Sequence, residues 1–409
     1  MGLFIAVKLC WSSAGNELIR ASDWWWVGIV LGLMIWPFCL LAEPAQTATH
    51  RATYLPGLDG WRAIAIGLVL VDHTVRGFCA RRKLPLPIAL IHGQHGVNLF
   101  FAISGLLITW KLLEEREQTG DISLTGFYRR RIYRILPAAF VYLCAVALLS
   151  LAGAIVLRRV DLASTVLYFR NFVTTGGQVT LATGHFWSLS IEEQFYVFLP
   201  ALLLLLGTRR FQSLAVVLIS TCAAWRWFFF QFFAPENAPI TLRFRTDVRI
   251  DGLLCGCLMA IVLADSRARR VMGKFFTIPV LIGLSTALLL IIHRKGEYTS
   301  LPESLVLPLL LAGTLLRPDK LPCRILEWAP LRWIGRISYS LYLWQQLFLI
   351  VHSDNWLLSR LQYFPANLAA TFLCAVLSYY VVERPMLRRA HGKSRPAATP
   401  SRALAAETA

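Results

Sequence analysis

Charge is scarce in this chain: only 16% of its 409 residues are Asp, Glu, Lys or Arg, while 56% are hydrophobic, and the mean hydropathy is +0.57. A soluble protein of this length needs more polar residues than that to cover its core. Long alternations of polar and apolar residues are also missing, which excludes the strands of a membrane barrel. Cysteine spacings suited to a metal or a disulfide are missing too. The nine cysteines are scattered, and Cys255 and Cys257, two apart on a helix, face different directions. All nine read as buried structural thiols, and no metal site is expected. There is no internal repeat of the sort found in many transporters, and no polar stretch long enough to make a soluble domain.

What is present is a series of apolar runs near twenty residues long, the length at which a helix crosses about 30 Å of hydrocarbon. Ten such spans are expected, near 61–79, 95–113, 135–157, 187–206, 212–233, 250–264, 275–292, 302–316, 335–352 and 364–383. The predicted fold is therefore an all-α, polytopic membrane helix bundle with ten core transmembrane helices. A net charge of +18 invites a nucleic-acid partner, but the placement of the charge argues for membrane lipid and no nucleic acid. Alternate connections, together with the tail from Arg384, hold 23 Lys and Arg, against 13 in the opposite set. The positive-inside rule puts the richer set and the C-terminus in the cytoplasm. The poorest fit is Arg81-Arg82-Lys83, a basic cluster on the other side.

Residues 1–53 form an N-terminal extension. Its run from Trp24 to Leu41, opened by Trp24-Trp25-Trp26, is long enough to span and would add an eleventh helix. It starts late and lacks a clear basic leader, which disfavours a signal peptide. The alternative is a start placed too early, with the working protein beginning near Tyr54. Residues 389–409, rich in Ser, Pro, Ala and Arg, read as a disordered basic cytoplasmic tail.

Ionisable residues at membrane depth are costly, so function is sought there. In Leu58-Asp59-Gly60-Trp61-Arg62, Asp59 is placed to cap a helix. Arg62 and His73 lie eleven residues apart, on one helical face and about 16 Å apart along the axis. Arg62 then snorkels near the cytoplasmic surface, and His73 reaches past mid-membrane, either paired with a neighbouring helix or poised for chemistry. A second cluster runs from His185 to Tyr196 and includes Ser188, Ser190, Glu192, Glu193 and Gln194. A helix cap at Ser188 or Ser190 explains only part of it. A third holds Arg243, Arg245, Asp247, Arg249 and Asp251, with mixed signs that predict intramolecular ion pairs. The last combines Ser338-Tyr339-Ser340-Leu341-Tyr342-Leu343-Trp344-Gln345-Gln346 with Glu383-Arg384-Pro385, where hydroxyls can act as interhelical glue.

Taken in order, these clusters resemble the acyltransferase-3 family of membrane O-acyltransferases, bacterial enzymes that acetylate lipopolysaccharide, exopolysaccharide and similar acceptors. The resemblance runs from about Tyr54 to Arg388, giving an acyltransferase-3 membrane domain over 54–388. It rests on Leu58-Asp59-Gly60-Trp61-Arg62 with a histidine eleven residues on, and on Gly96-Val97-Asn98-Leu99-Phe100-Phe101 with Ser104-Gly105. It continues through Arg129-Arg130-Arg131 with Arg134 and Pro137, and Trp187-Ser188-Leu189-Ser190-Ile191-Glu192-Glu193-Gln194-Phe195-Tyr196. Arg249-Ile250-Asp251-Gly252, Ser338 to Trp344 and Glu383-Arg384-Pro385 complete it.

The resemblance implies transfer of an acyl group, most often acetyl, from cytoplasmic acyl-CoA to a hydroxyl of an extracytoplasmic glycan or glycolipid, in the bacterial inner membrane. Acyl-CoA would be a co-substrate rather than a bound cofactor. His73 is the expected base, since its unperturbed pKa lies near neutrality. Arg62 and the block Arg129, Arg130, Arg131 and Arg134 are placed to hold the phosphates of CoA, although the positive-inside bias alone also accounts for the block. Glu192, Glu193 or Glu383 would orient the histidine or shape the acceptor site. Tyr342 is a candidate substrate residue. Arg249 and Asp251 are candidates too, with a structural ion pair between them the plainer expectation. The family often has Asp where this chain has Asn98, which makes a carboxylate at that position dispensable here. Many relatives carry a histidine where Gln345 stands, which concentrates the role of base on His73. With no hydrolase-like domain following the spans, acceptor chemistry would fall to the membrane part or a partner. The competing classes are a transporter or flippase of an envelope sugar, because buried Arg, His and Glu also build such pathways, and a non-catalytic scaffold for envelope-assembly proteins.

Overall fold

The computed structural model describes residues 55–82, 92–173, 181–232, 243–293, 300–317 and 320–391. The run Trp24–Leu41, the tail beyond His391 and Lys83 lie outside the described residues. Within them the chain is helical, with no strand among the described residues. The main helices are α1 (Pro56–Arg82), α2 (Gly93–Thr119), α3 (Leu124–Leu151), α4 (Phe186–Phe232), α5 (Asp251–Ala264), α6 (Ser266–Phe275), α7 (Ile278–His293), α8 (Ser300–Leu315), α9 (Ala329–Gln345), α10 (Ala366–Ser378) and α11 (Arg384–His391). Two π-helical turns, Gln346–Ile350 and Tyr379–Glu383, follow α9 and α10 directly.

Five stretches are long and apolar enough to cross a membrane: Pro56–Arg82, Gly93–Thr119, Leu124–Leu151, Leu181–Phe229 and Ala366–Ala390. The α6–α7 pair, bent by 84°, makes a sixth if taken as one broken span, and Asp251–Ala264 and Leu301–Leu315 are apolar but shorter. Length and apolarity thus give fewer long helices than the ten expected. Part of the difference is α4. Its 47 residues run about 70 Å, more than twice the hydrocarbon thickness. Gly207, at φ 68° and ψ 171°, breaks it into two arms, where the sequence placed a connection at 207–211. Phe140, Leu148, Leu205, Leu289 and Val381 are exposed, an apolar exterior suited to lipid. The chain is a multi-pass membrane protein.

The centre is built on α1, which packs between α2 and α9, while α2 lies along α5. Small residues let these backbones meet. A Cβ at Gly105 would strike the backbone of Leu253, and one at Gly335 the backbone of Asp59. The segment 111–135, expected as a basic connection, is mostly helix. α2 ends at Gly120 in the left-handed region (φ 81°), and α3 starts at once, Ser123 accepting from the Gly126 N–H at 3.1 Å. The seven described cysteines are free thiols, five of them buried. Arg81, the basic residue on the less basic side, donates to the Leu349 carbonyl at 3.2 Å and lies over the Tyr363 ring, so it fastens α1 to the π turn after α9.

Candidate active site

Two groups of polar side chains lie along α1, one around Arg62 and one around His73, about 16 Å apart by helical rise. At the first end, Asp59 sits inside the opening turn of α1 rather than capping it, because the helix begins three residues earlier at Pro56. Its carboxylate pairs with Arg62 at 3.3 Å. On α3, Arg131 and Arg134 are three apart and share a face. Both lie close enough to Arg62 to interact with it electrostatically. Arg131 covers the Tyr196 ring at 5.3 Å from its centroid. Glu192 accepts from the Tyr196 hydroxyl at 2.9 Å and from Ser104 at 3.3 Å, and Arg131 and Arg62 lie within electrostatic reach of it. Glu193 interacts with Arg131 and with Glu192. Glu383, buried at the end of its π turn, accepts from Ser340 at 3.0 Å and faces the field of Arg134 and Arg62.

Six of the predicted residues, Arg62, Arg131, Arg134, Glu192, Glu193 and Glu383, therefore gather at one end. The other two arginines of the block do not join them: Arg130 pairs with Glu115 at 2.7 Å, and Arg129 is exposed. Arg129 faces away from Arg134 on the helix, whereas Arg130, one turn before Arg134, is drawn off by Glu115.

At the second end, His73 Nδ1 lies 2.6 Å from Gln345 Oε1. The amide of Gln345 is oriented by its own donors, which reach the Tyr342 carbonyl and Gln346 Oε1, each at 3.4 Å. Gln345 therefore accepts, His73 donates from Nδ1, and Nε2 carries the lone pair, with no partner among the described residues. Gln345 thus acts on His73 directly. Beside it, Tyr342 is within 2.6 Å of Ser188 Oγ and donates to the His185 carbonyl at 3.1 Å. Ser188 reaches the same carbonyl at 3.2 Å. Ser190 also bonds within the protein, to the Phe186 carbonyl at 2.9 Å and from the Arg170 N–H at 3.2 Å. Neither serine caps the helix.

A third group escaped the sequence reading. Glu303 on α8, 1% exposed, accepts from Asn98 Nδ2 at 2.8 Å and lies 3.0 Å from His95 Nδ1. A carboxylate is therefore present beside Asn98, supplied by another helix. Next to it, Arg76 bridges Asp72 at 2.7 Å and His92 at 2.8 Å. Glu303 carried no motif and its partners lie some two hundred residues away; only the two histidines just before Gly96 gave a signal.

The expected pair of Arg249 with Asp251 is not formed. Asp251 pairs with Arg226 at 2.8 Å, both side chains buried, and Arg249 donates to the Arg243 carbonyl at 2.8 Å and lies against the Gln94 amide. Two residues apart on adjoining helical turns, the two side chains diverge, and α4 offers Asp251 a closer cation. The predicted mixing of signs does hold for Arg245 and Asp247, paired at 2.9 Å.

A family model described as an acyltransferase domain matches residues 55–383. Among curated proteins, O-acetyltransferase OatA of Staphylococcus aureus (strain NCTC 8325 / PS 47) is 27% identical over 365 residues, covering 83% of this chain and 58% of that protein. Putative O-acetyltransferase SACOL0978 of Staphylococcus aureus (strain COL) is 29% identical over 367 residues, with the same coverage. The chain spans less than two thirds of the length of these relatives. No solved structure matches it.

Proposed function

The chain belongs to the acyltransferase-3 family and is an acyltransferase, and from that premise we propose that it moves an acyl group, most often acetyl, from cytoplasmic acyl-CoA to a hydroxyl of an extracytoplasmic glycan or glycolipid. The O-acetyltransferase names of its relatives support the acetyl group. The proposed setting is the bacterial inner membrane, with the C-terminus cytoplasmic and the Arg62 end of α1 toward the cytoplasm, as the bias of basic residues indicates.

The observation that carries this reading is the contact of His73 Nδ1 with Gln345 Oε1. It leaves Nε2 as a base on the same helix that carries Arg62. Arg62, Arg131 and Arg134 would take the phosphates of CoA, where arginine forks bind anions bidentately. The extended pantetheine arm would then lead the thioester along α1 toward His73. In the step itself, His73 Nε2 accepts the proton of the acceptor hydroxyl, and the oxygen attacks the thioester carbonyl. The new C–O bond forms, the C–S bond breaks, and the thiolate takes the proton back from His73. The products are an O-acyl ester and free CoA.

The test is purified full-length protein with labelled acetyl-CoA and an envelope glycan, comparing wild type with His73→Ala. Label is expected on the glycan with wild type only. Equal transfer by the variant would remove His73 from its role. Absence of transfer from any acyl-CoA, together with acceptor flux across liposomes, would establish transport instead.

A further inference from the structure

One side chain at the His73 end is out of keeping with its surroundings. His185 is 4% exposed, and neither of its ring nitrogens has a hydrogen-bond partner among the described residues; the same holds for the buried indole N–H of Trp344. Both rings meet the Tyr142 ring edge-on, each with centroids 5.4 Å apart, so Tyr142 is their common neighbour. His185 also touches Phe186 and Tyr342, and its backbone carbonyl is clamped by Ser188 and Tyr342. It lies within electrostatic reach of His73. Tyr142 is not the missing partner for its neighbours' polar atoms, since its hydroxyl donates to the Ala182 carbonyl at 2.6 Å.

An unpaired polar group in a membrane interior is costly. An N–H directed at the Tyr142 face satisfies at most one nitrogen of His185. Phenylalanine would fill the same volume without that cost, so packing alone does not account for an imidazole here. What these two rings offer is donors: an indole N–H that only donates, and a neutral imidazole that donates from one nitrogen. Aromatic walls exclude water around them, the setting in which fixed donors stabilise a developing oxyanion most.

We infer that His185 and Trp344 donate hydrogen bonds to the acyl carbonyl oxygen during transfer, an assignment that rests on the acyl-transfer reading above. As the acceptor oxygen adds to the carbonyl carbon, the C=O π electrons move onto that oxygen, where the two N–H groups hold them. They return as the C–S bond breaks. The proton passes from the acceptor hydroxyl to His73 and on to the thiolate; His185 and Trp344 exchange none.

The experiment uses the full chain in lipid nanodiscs, with His185→Phe, His185→Gln and Trp344→Phe beside wild type and His73→Ala. Two quantities are measured: kcat and KM for acetyl-CoA, and the infrared stretch of an isotope-labelled carbonyl in the non-transferable analogue S-acetonyl-CoA. His185→Phe is expected to lower kcat about 100-fold and Trp344→Phe about tenfold, with KM little changed. His185→Gln keeps an N–H and recovers most of the loss. The carbonyl stretch falls when the analogue binds wild type and returns toward its free value in His185→Phe. Wild-type kcat and an unaltered stretch in a folded His185→Phe, with His73→Ala inactive, would overturn the donor assignment and leave acyl transfer standing, pointing His185 to the acceptor hydroxyl or to packing. Absence of acyl transfer by wild type would overturn both. If His185→Phe does not fold, the stretch in wild type decides, and no shift on binding overturns the assignment.

Discussion

The two ends of α1 are built on opposite principles. Around Arg62 the side chains are charged and of both signs: three arginines face Glu192, Glu193 and Glu383 across a few helical turns. Around His73 the direct contacts are neutral and aromatic, a glutamine amide and a tyrosine hydroxyl among them, and the charges within reach are the paired Asp72 and Arg76. Charge that attracts an anionic ligand over distance suits recognition. An oriented imidazole suits proton transfer, because its tautomer is set by the bond its other nitrogen makes. The contrast supports the proposed division, with donor binding at one end and chemistry at the other.

The strongest way to break that division is at His73. Replacing it with Ala should lower kcat by about 10²–10⁴-fold, the usual contribution of a positioned base, while KM for acetyl-CoA stays near wild type. Steady-state kinetics on reconstituted protein read both numbers, and a parallel rise in KM would merge the two ends into one. Arg131→Ala should do the reverse. Loss of a charge-assisted contact of about 1.5–3 kcal/mol raises KM for acetyl-CoA about 10- to 100-fold, with a smaller change in kcat. Gln345→Leu removes the acceptor that fixes the His73 tautomer and should lower kcat about tenfold, recovered in part by Gln345→Asn if an amide oxygen is what matters.

Asn98→Asp sharpens the comparison from outside both ends. The change would set a second carboxylate against buried Glu303. Thermal melting should show a loss of about 1–3 kcal/mol, and Glu303→Gln in the same chain should restore it. Equal melting of Asn98→Asp and wild type would contradict the pairing of Asn98 with Glu303. The smallest effect is expected from Arg130→Ala. Its guanidinium is spent on the half-exposed Glu115 pair, worth about 0–1 kcal/mol, and KM for acetyl-CoA should not move.

The Arg62 end was largely legible in the sequence, since charged residues in an apolar chain are conspicuous and the motif order groups them. Sequence did not show which arginines of the block face inward, because that depends on where α3 begins. Ser123 sets that start, and turns Arg131 and Arg134 to one face while Arg130 reaches Glu115. The His73 end was half legible. The histidine stood out, but Gln345 read as the loss of a base rather than the gain of an orienting partner, a distinction carried by a contact spanning more than two hundred and fifty residues. Mixed charges misled at Asp251. Nearness in sequence pointed to Arg249, whereas helix packing delivers Arg226. The number of crossings is likewise set by breaks such as Gly207, which a hydropathy count places only approximately.

The most direct test of the division of labour is the equilibrium affinity of acetyl-CoA for His73→Ala, measured against wild type in the absence of acceptor. An unchanged dissociation constant is expected in a protein that has lost transfer. A dissociation constant weakened in proportion to the lost activity would contradict it, placing His73 in donor binding rather than in the chemistry.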